Sequence, residues 1–185
     1  SIKRKEDVEK YLALPTIGVI PKMKPFKVPT KLLVERERTD LKQTQQLLSH
    51  ILLFNQSTVV GGNGIEQSAV ETSYKTLAAL IGHTSGNTPP KTLLITSAVP
   101  AEGKTPIATN LAICLAHTGK KVLLIDTDLK ADRIRRIFQQ DASPVLTDFW
   151  SDAETPLDDF LYRASFIRST PVDNLYILPV GGVDV

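Results

Sequence analysis

The chain has 185 residues, 42% of them hydrophobic and 23% charged, with a formal net charge of +2. That suits one globular domain with an appendage, and the charge is too balanced to select for nucleic acid. A single cysteine, Cys114, excludes an internal disulfide framework and fits a reducing compartment. No apolar run approaches the ~18 residues of a membrane span, and the N-terminus lacks the apolar stretch of a secretory signal.

Residues 1–10 are charged and helical in pattern, with Val8, Tyr11 and Leu12 on one face. Residues 16–20 form a short apolar strand candidate stopped by Pro21. Residues 22–30, rich in Lys and Pro, read as an extended linker. Lys22, Lys24 and Lys27 there suit either solvent or an anionic lipid surface. Helical periodicity returns over 32–54, where Leu47, Leu48, Ile51 and Leu52 make an apolar strip whose default is core packing. Residues 61–64 are a Gly-rich break, 68–80 a helix ended by Gly82, and 85–90 a loop.

The second half alternates strands and helices. Residues 92–96 (TLLIT) are a strand candidate, and 106–117 a helix closed by Gly119. The unbroken apolar run 122–125 is expected of a parallel strand buried on both faces. Residues 132–139 look helical, and 155–162 make a helix opened by Thr155 and Pro156. Residues 175–178 are a last strand, ended by Pro179 and Gly181-Gly182. This alternation implies an α/β fold, a parallel sheet flanked by crossover helices, preceded by a helical and linker extension. Phe149, Trp150, Phe160 and Tyr162 are expected in its core. His50, His83 and His117 share no metal-ligand spacing.

Between the first core strand and helix stands Ala98-Val99-Pro100-Ala101-Glu102-Gly103-Lys104-Thr105, a phosphate-loop spacing with Ala in place of the first Gly. In such a loop, successive backbone N–H groups form an anion cradle at the positive end of the helix. Residues 100–106 (Pro100, Ala101, Glu102, Gly103, Lys104, Thr105, Pro106) are the candidate ATP or ADP contacts. Lys104 supplies a charge for the β- and γ-phosphates, and the Thr105 hydroxyl a ligand for Mg²⁺. Pro106 is unusual: it offers neither N–H nor hydroxyl to the α-phosphate. One lost hydrogen bond to a charged group is worth roughly 1.5–3 kcal/mol, so binding is expected to persist but weaken.

Asp126 and Asp128 close the strand at 122–125. In open α/β sheets that edge faces the ligand. Two carboxylates beside a Mg²⁺-nucleotide can hold the metal and accept a proton from an attacking hydroxyl. The plainer reading is that Asp126 caps the next turn and Asp128 is solvated. Arg133, Arg135 and Arg136 follow; they are the wet face of a helix, with Arg133 near enough to reach a phosphate.

The stretches PPKTLLITSAVPAEGKTPIATNLA, GKKVLLIDTDLKADRIRRIF and NLYILPVGG resemble bacterial tyrosine kinases of polysaccharide export and chain-length control. EDVEKYLALPTIGVIPK resembles their juxtamembrane segment, and ETSYKTLAAL the helix before their core. The resemblance covers most of the chain apart from about residues 24–66. It implies a fold of the phosphate-loop (P-loop) NTPase class, with a juxtamembrane-like and linker region over 1–66 and a nucleotide-binding domain over 67–185. It further implies ATP and Mg²⁺ as ligands and transfer of the γ-phosphoryl group to tyrosine. Lys104, Asp126 and Asp128 are then the catalytic residues, Asp126 as base. Thr105, Asp126 and Asp128 attend the metal. Polysaccharide polymerase or export proteins are the implied partners, with homo-oligomers possible in the family. The implied location is the cytoplasmic side of the inner membrane, with membrane attachment through segments outside residues 1–185.

Three features depart from the family pattern. Its third nucleotide motif, an apolar strand ending in Asp, is expected beyond Leu178, and residues up to Val185 do not contain it; nor do they contain the acceptor tyrosine cluster. Its oligomerisation helix carries a Glu and two Arg at three-residue spacing, where alignment on Ser73-Tyr74-Lys75 places Thr72, Lys75 and Ala78, with Glu71 one residue off. After Asp128 stands Leu129-Lys130-Ala131-Asp132 instead of Leu-Arg-x-Pro. Two other readings stay open. A partitioning-type ATPase usually has an extra Lys near the loop's start, where this chain has Ala98, Val99 and Pro100. A non-catalytic docking domain of the polysaccharide machinery fits Pro106 and the altered helix.

Overall fold

The computed structural model describes residues 5–21, 64–83, 90–128, 133–141, 147, 156 and 166–179. They fall in two units, the first holding the described residues up to 94, the second those from 95 onward. The expected helix over 32–54, that over 155–162 apart from Pro156, the residues Phe149, Trp150, Phe160 and Tyr162, and Leu129 to Asp132 lie outside the described residues.

In the first unit, α1 is Lys5–Leu12, with Glu6 and Asp7 in its first turn and Lys10 in its last. That charge order complements the helix dipole. Its expected apolar face is not a core face: Tyr11 is 66% and Leu12 53% exposed, and the helix buries nothing. The strand expected over 16–20 does not form. A strand needs a neighbour's hydrogen bonds, and the Thr16 N–H is instead held by the Glu9 carboxylate at 3.3 Å. Gly18 lies against Leu77: a Cβ on it would stand 3.4 Å from Leu77 Cδ1, an ordinary contact. Leu77 belongs to α2, Gly64–His83. This helix buries Val70, Tyr74 and Ala78, a stripe at four-residue spacing. It starts before residue 68 and runs through Gly82, whose cost of about 1 kcal/mol is too small to end a helix. Of the positions aligned with the family's oligomerisation motif, Ala78 is buried and Lys75 pairs with Glu71 at 2.6 Å.

The second unit carries α3 (Lys104–His117), β1 (Val122–Ile125), α4 (Arg133–Ile137), β2 (Arg168–Ser169) and β3 (Leu175–Leu178). At the end of α3, the Gly119 N–H donates to Ala116 O at 2.9 Å, and Gly119 adopts φ +82°, as expected of a glycine just past a helix. β1 and β3 run parallel, Val122 opposite Leu175 and Leu124 opposite Ile177. β2 lies antiparallel on the far side of β3. Sequence reasoning missed β2. Its signal is the turn between it and β3, where the Thr170 hydroxyl accepts the Val172 N–H at 3.1 Å and donates to Leu175 O at 3.0 Å. Asn174 supplies the left-handed residue of that turn, at φ +64°.

One core forms on one face of the sheet. Leu124, Leu175 and Ile177 meet Ala112, Ile113 and Ala116 of α3, and Ile134, Ile137 and Phe138 from α4 onward. The opposite face is not covered on β1, where Leu123 is 41% and Ile125 49% exposed. The expectation of a strand buried on both faces is therefore corrected: the apolar run records composition, not two-sided cover. The strand expected over 92–96 is also absent, and Leu93 and Leu94 are exposed. The Val122 and Asp126 N–H groups donate to Asn174 O and Leu178 O. Strand alternation turns the amides of Leu123 and Ile125 away from β3. Among the described residues no strand pairs with that edge.

Candidate nucleotide-binding site

The loop before α3 is shaped by two left-handed residues, Ala101 at φ +63° and Gly103 at φ +93°. Left-handed residues alternating with ordinary ones turn successive N–H groups toward one side, the geometry of an anion nest. Gly103 is the N-cap, and no side chain caps the helix. A Cβ on Gly103 would meet Pro106 Cγ at 3.9 Å and Ile107 Cδ1 at 4.0 Å, which is ordinary contact. Its φ, not lack of space, is what requires glycine there. Ala101 holds a similar conformation without that freedom, a cost the sequence does not advertise.

Polar contacts brace the same loop. Lys104 Nζ donates to Ser97 Oγ at 2.7 Å, and Ser97 Oγ donates to Val99 O at 2.8 Å. The Val99 N–H donates to Glu102 Oε2 at 3.2 Å. Sequence reasoning missed Ser97, whose only signal is a hydroxyl seven residues before the lysine. Lys104, Thr105 and Pro106 are half-buried, while Pro100, Ala101 and Glu102 are exposed. Pro106 sits inside the first turn of α3, which begins two residues earlier than the helix expected from 106 onward. Proline is tolerated there because first-turn N–H groups have no intrahelical acceptor.

Asp126 leaves the end of β1 into a buried position, 7% exposed. Its Oδ1 accepts the Asp128 N–H at 3.0 Å and its Oδ2 the Ile134 N–H at 3.3 Å. Asp126 thus ties the strand end to the start of α4, the capping role that the sequence left open. Asp128 is exposed, as is Arg133 at the head of α4. The short link at 118–121 reverses the chain, and α3 packs along β1. The N-terminus of α3 therefore lies at the same end of the sheet as Asp126 and Asp128. Among the described residues no group of three or more His, Cys, Asp or Glu gathers to make a metal cage. Mg²⁺ needs no such cage: it takes one or two side-chain oxygens, phosphate oxygens and waters. The half-buried Thr105 and exposed Asp128 fit that modest demand, and Asp126 offers oxygens already engaged by backbone N–H groups.

A left-handed glycine cap, a lysine in the first turn and a carboxylate strand end on one α/β layer define the P-loop nucleotide-binding class. Residues 93–143 match the family described as the CobQ/CobB/MinD/ParA nucleotide binding domain. The chain resembles bacterial tyrosine kinases both in sequence and in fold. It is 45% identical over 65 residues to the tyrosine-protein kinase YwqD of Bacillus subtilis (strain 168), covering 35% of this chain and 27% of that protein. It is 35% identical over 97 residues to the succinoglycan biosynthesis transport protein ExoP of Rhizobium meliloti (strain 1021), covering 50% of this chain and 11% of that protein. The solved BceF tyrosine kinase domain shares its fold with a TM-score of 0.64 at 23% identity, over 98% of this chain and 63% of that one. The chain thus spans little more than a quarter of YwqD. No described helix is long and apolar enough to cross a membrane.

Proposed function

We propose that this chain is the Mg²⁺-ATP-binding part of a protein-tyrosine kinase acting in exopolysaccharide synthesis or export, on the cytoplasmic side of the inner membrane. Residues 67–185 supply the nucleotide site and residues 1–66 the membrane-proximal segment, with polymerase or export proteins as partners. The observation that carries this reading is the loop at 97–106: two left-handed residues, a helix opened without a side-chain cap, and Lys104 aimed back across the loop onto Ser97. Its amides and ammonium hold the phosphates, with Thr105 and Asp128 attending the metal. The metal, when bound, neutralises charge on the transferring phosphoryl group. Asp126 accepts the tyrosine proton.

A second reading is favoured by the two carboxylate oxygens of Asp126, each accepting a backbone N–H. A group so engaged serves architecture first, and the chain is then a nucleotide-binding module that docks without catalysing transfer. Both readings require the phosphate site. Titration of labelled Mg²⁺-ATP against wild type and Lys104→Met tests it, with an expected loss of tenfold or more in the variant. Equal binding by the two proteins sinks the assignment. A phosphotyrosine blot after incubation with Mg²⁺-ATP and a tyrosine-rich acceptor peptide separates kinase from module.

A further inference from the structure

The end of α1 and the segment after it turn apolar side chains to solvent. Tyr11, Leu12, Leu14, Ile17 and Val19, five large apolar side chains within nine residues, are each at least half exposed. Single exposed apolar residues are ordinary, but a run of them marks a surface that meets something. The run is held in place. α1 ends where Ala13, at φ +53°, donates its N–H to Glu9 O at 3.2 Å. The Thr16 N–H is tied back to the Glu9 carboxylate, and Gly18 rests against Leu77 of α2. These anchors fix the backbone and leave the five side chains outside.

Charge selects the partner. Residues 1–27 carry seven basic and three acidic side chains, a net +4 in a chain whose total is +2. The cations flank the apolar run on both sides, from Lys3 to Lys10 before it and from Lys22 to Lys27 after it. Glu9 is engaged by Lys5 at 3.6 Å and by the Thr16 N–H. Glu6 stands on the side of α1 opposite Val8, Tyr11 and Leu12, and only Asp7 borders their face. The Lys10 ammonium lies 5.7 Å from the centre of the Tyr11 ring, so a cation and an aromatic body stand side by side. At a membrane–water boundary such groups bury carbon and keep their polar ends wet. Pro15 and Gly18 interrupt the run, so it is not the regular amphipathic helix that a protein groove receives. A bilayer surface makes no such demand, and an anionic one matches the flanking charge.

We infer that residues 11–19 seat in the interfacial layer of an anionic bilayer, with the five apolar side chains at the acyl boundary and the flanking lysines on the headgroups. The inference rests on the membrane-proximal reading of residues 1–66 for access to a membrane. It adds that this segment itself grips lipid, which a chain tethered nearby does not require.

The test is flotation of the chain with vesicles of phosphatidylglycerol and phosphatidylcholine in equal parts, and with vesicles of phosphatidylcholine alone. Wild type is expected to bind the mixed vesicles, and the neutral ones about tenfold more weakly. Leu14→Ser combined with Val19→Ser changes only exposed side chains, so the fold should be kept, as a thermal melt checks. That double variant should bind the mixed vesicles about tenfold more weakly than wild type. Lys22→Gln combined with Lys24→Gln should weaken the same binding about fivefold or more. Absence of flotation overturns the inference. Full binding by the Leu14 and Val19 double variant also overturns it, because the lysines alone would then be adsorbing. A dimer in sedimentation that the same variant dissolves overturns it too, since a second copy would then cover the run. Fractionation of cells carrying the natural protein checks the membrane-proximal reading separately. Failure of flotation with the protein in the membrane fraction sinks only the inference, whereas a protein wholly in the soluble fraction sinks that reading.

Discussion

The ammonium of Lys104 rests on the hydroxyl of Ser97, Nζ to Oγ 2.7 Å, across seven residues of loop. A phosphate attracts that ammonium more strongly than a neutral hydroxyl does. Ligand binding therefore breaks a hydrogen bond that the resting loop has made. Ser97→Ala removes this competitor and is expected to tighten Mg²⁺-ATP binding by about two- to fivefold, the value of a half-buried hydrogen bond. Weaker binding in a nucleotide titration would show instead that Ser97 goes on aiming Lys104 in the bound state.

Ala101 adopts φ +63° with a Cβ in place. The left-handed region costs an L-residue about 1–2 kcal/mol relative to glycine. Glycine in turn adds about 0.4–1 kcal/mol of unfolded-state entropy. Ala101→Gly is accordingly expected to stabilise the chain by about 0.5–1 kcal/mol, or about 1–4 °C in a thermal melt. A lower midpoint would mean that the Ala101 methyl packs usefully against the loop.

The residues that were legible in advance are those whose roles are local. Strands 122–125 and 175–178 stand between Gly119 or Asn174 and a carboxylate or proline, and both form with the bounds expected. The phosphate loop was legible because spacing fixes it: a glycine, a lysine and a hydroxyl in a row between an apolar segment and a helix. What depends on partners far along the chain was not. TLLIT at 92–96 has strand composition but no ladder, and β2 is two residues long and visible only through its turn. Asp126 left two roles open because its second hydrogen bond reaches residue 134, eight positions on. Nothing in Asp126-Thr127-Asp128 announces that contact.

Thr109 stands on α3 at 0% exposure, and among the described residues its hydroxyl has no hydrogen-bond partner. A buried hydroxyl left unpaired costs about 1–3 kcal/mol, and valine has nearly its shape. Thr109→Val is expected to raise stability by about 1 kcal/mol in denaturant unfolding, with Mg²⁺-ATP affinity unchanged. Destabilisation would show that this hydroxyl finds a bond in solution, with water or with a rearranged neighbour.

Asp126 and Asp128, two residues apart, should respond to the same substitution in opposite ways. Asp126 is buried and accepts the backbone N–H of Asp128 on one oxygen and that of Ile134 on the other. Asparagine keeps one acceptor and turns an NH₂ toward the remaining N–H, leaving a buried donor unpaired. Asp126→Asn should therefore lose about 1–3 kcal/mol of folding stability. Asp128 is exposed at the end of the same strand. Asp128→Asn should leave stability within about 0.5 kcal/mol and weaken Mg²⁺-ATP binding severalfold. Metal-free ATP should bind it at least as well as wild type does, because the substitution removes a negative charge that only a cation would turn to advantage. Thermal melts and titrations with and without Mg²⁺ on both variants separate the effects. If Asp126→Asn melts as wild type but loses the Mg²⁺ dependence, while Asp128→Asn keeps it, then Asp126 attends the metal and its bonds to Asp128 and Ile134 are incidental to the fold.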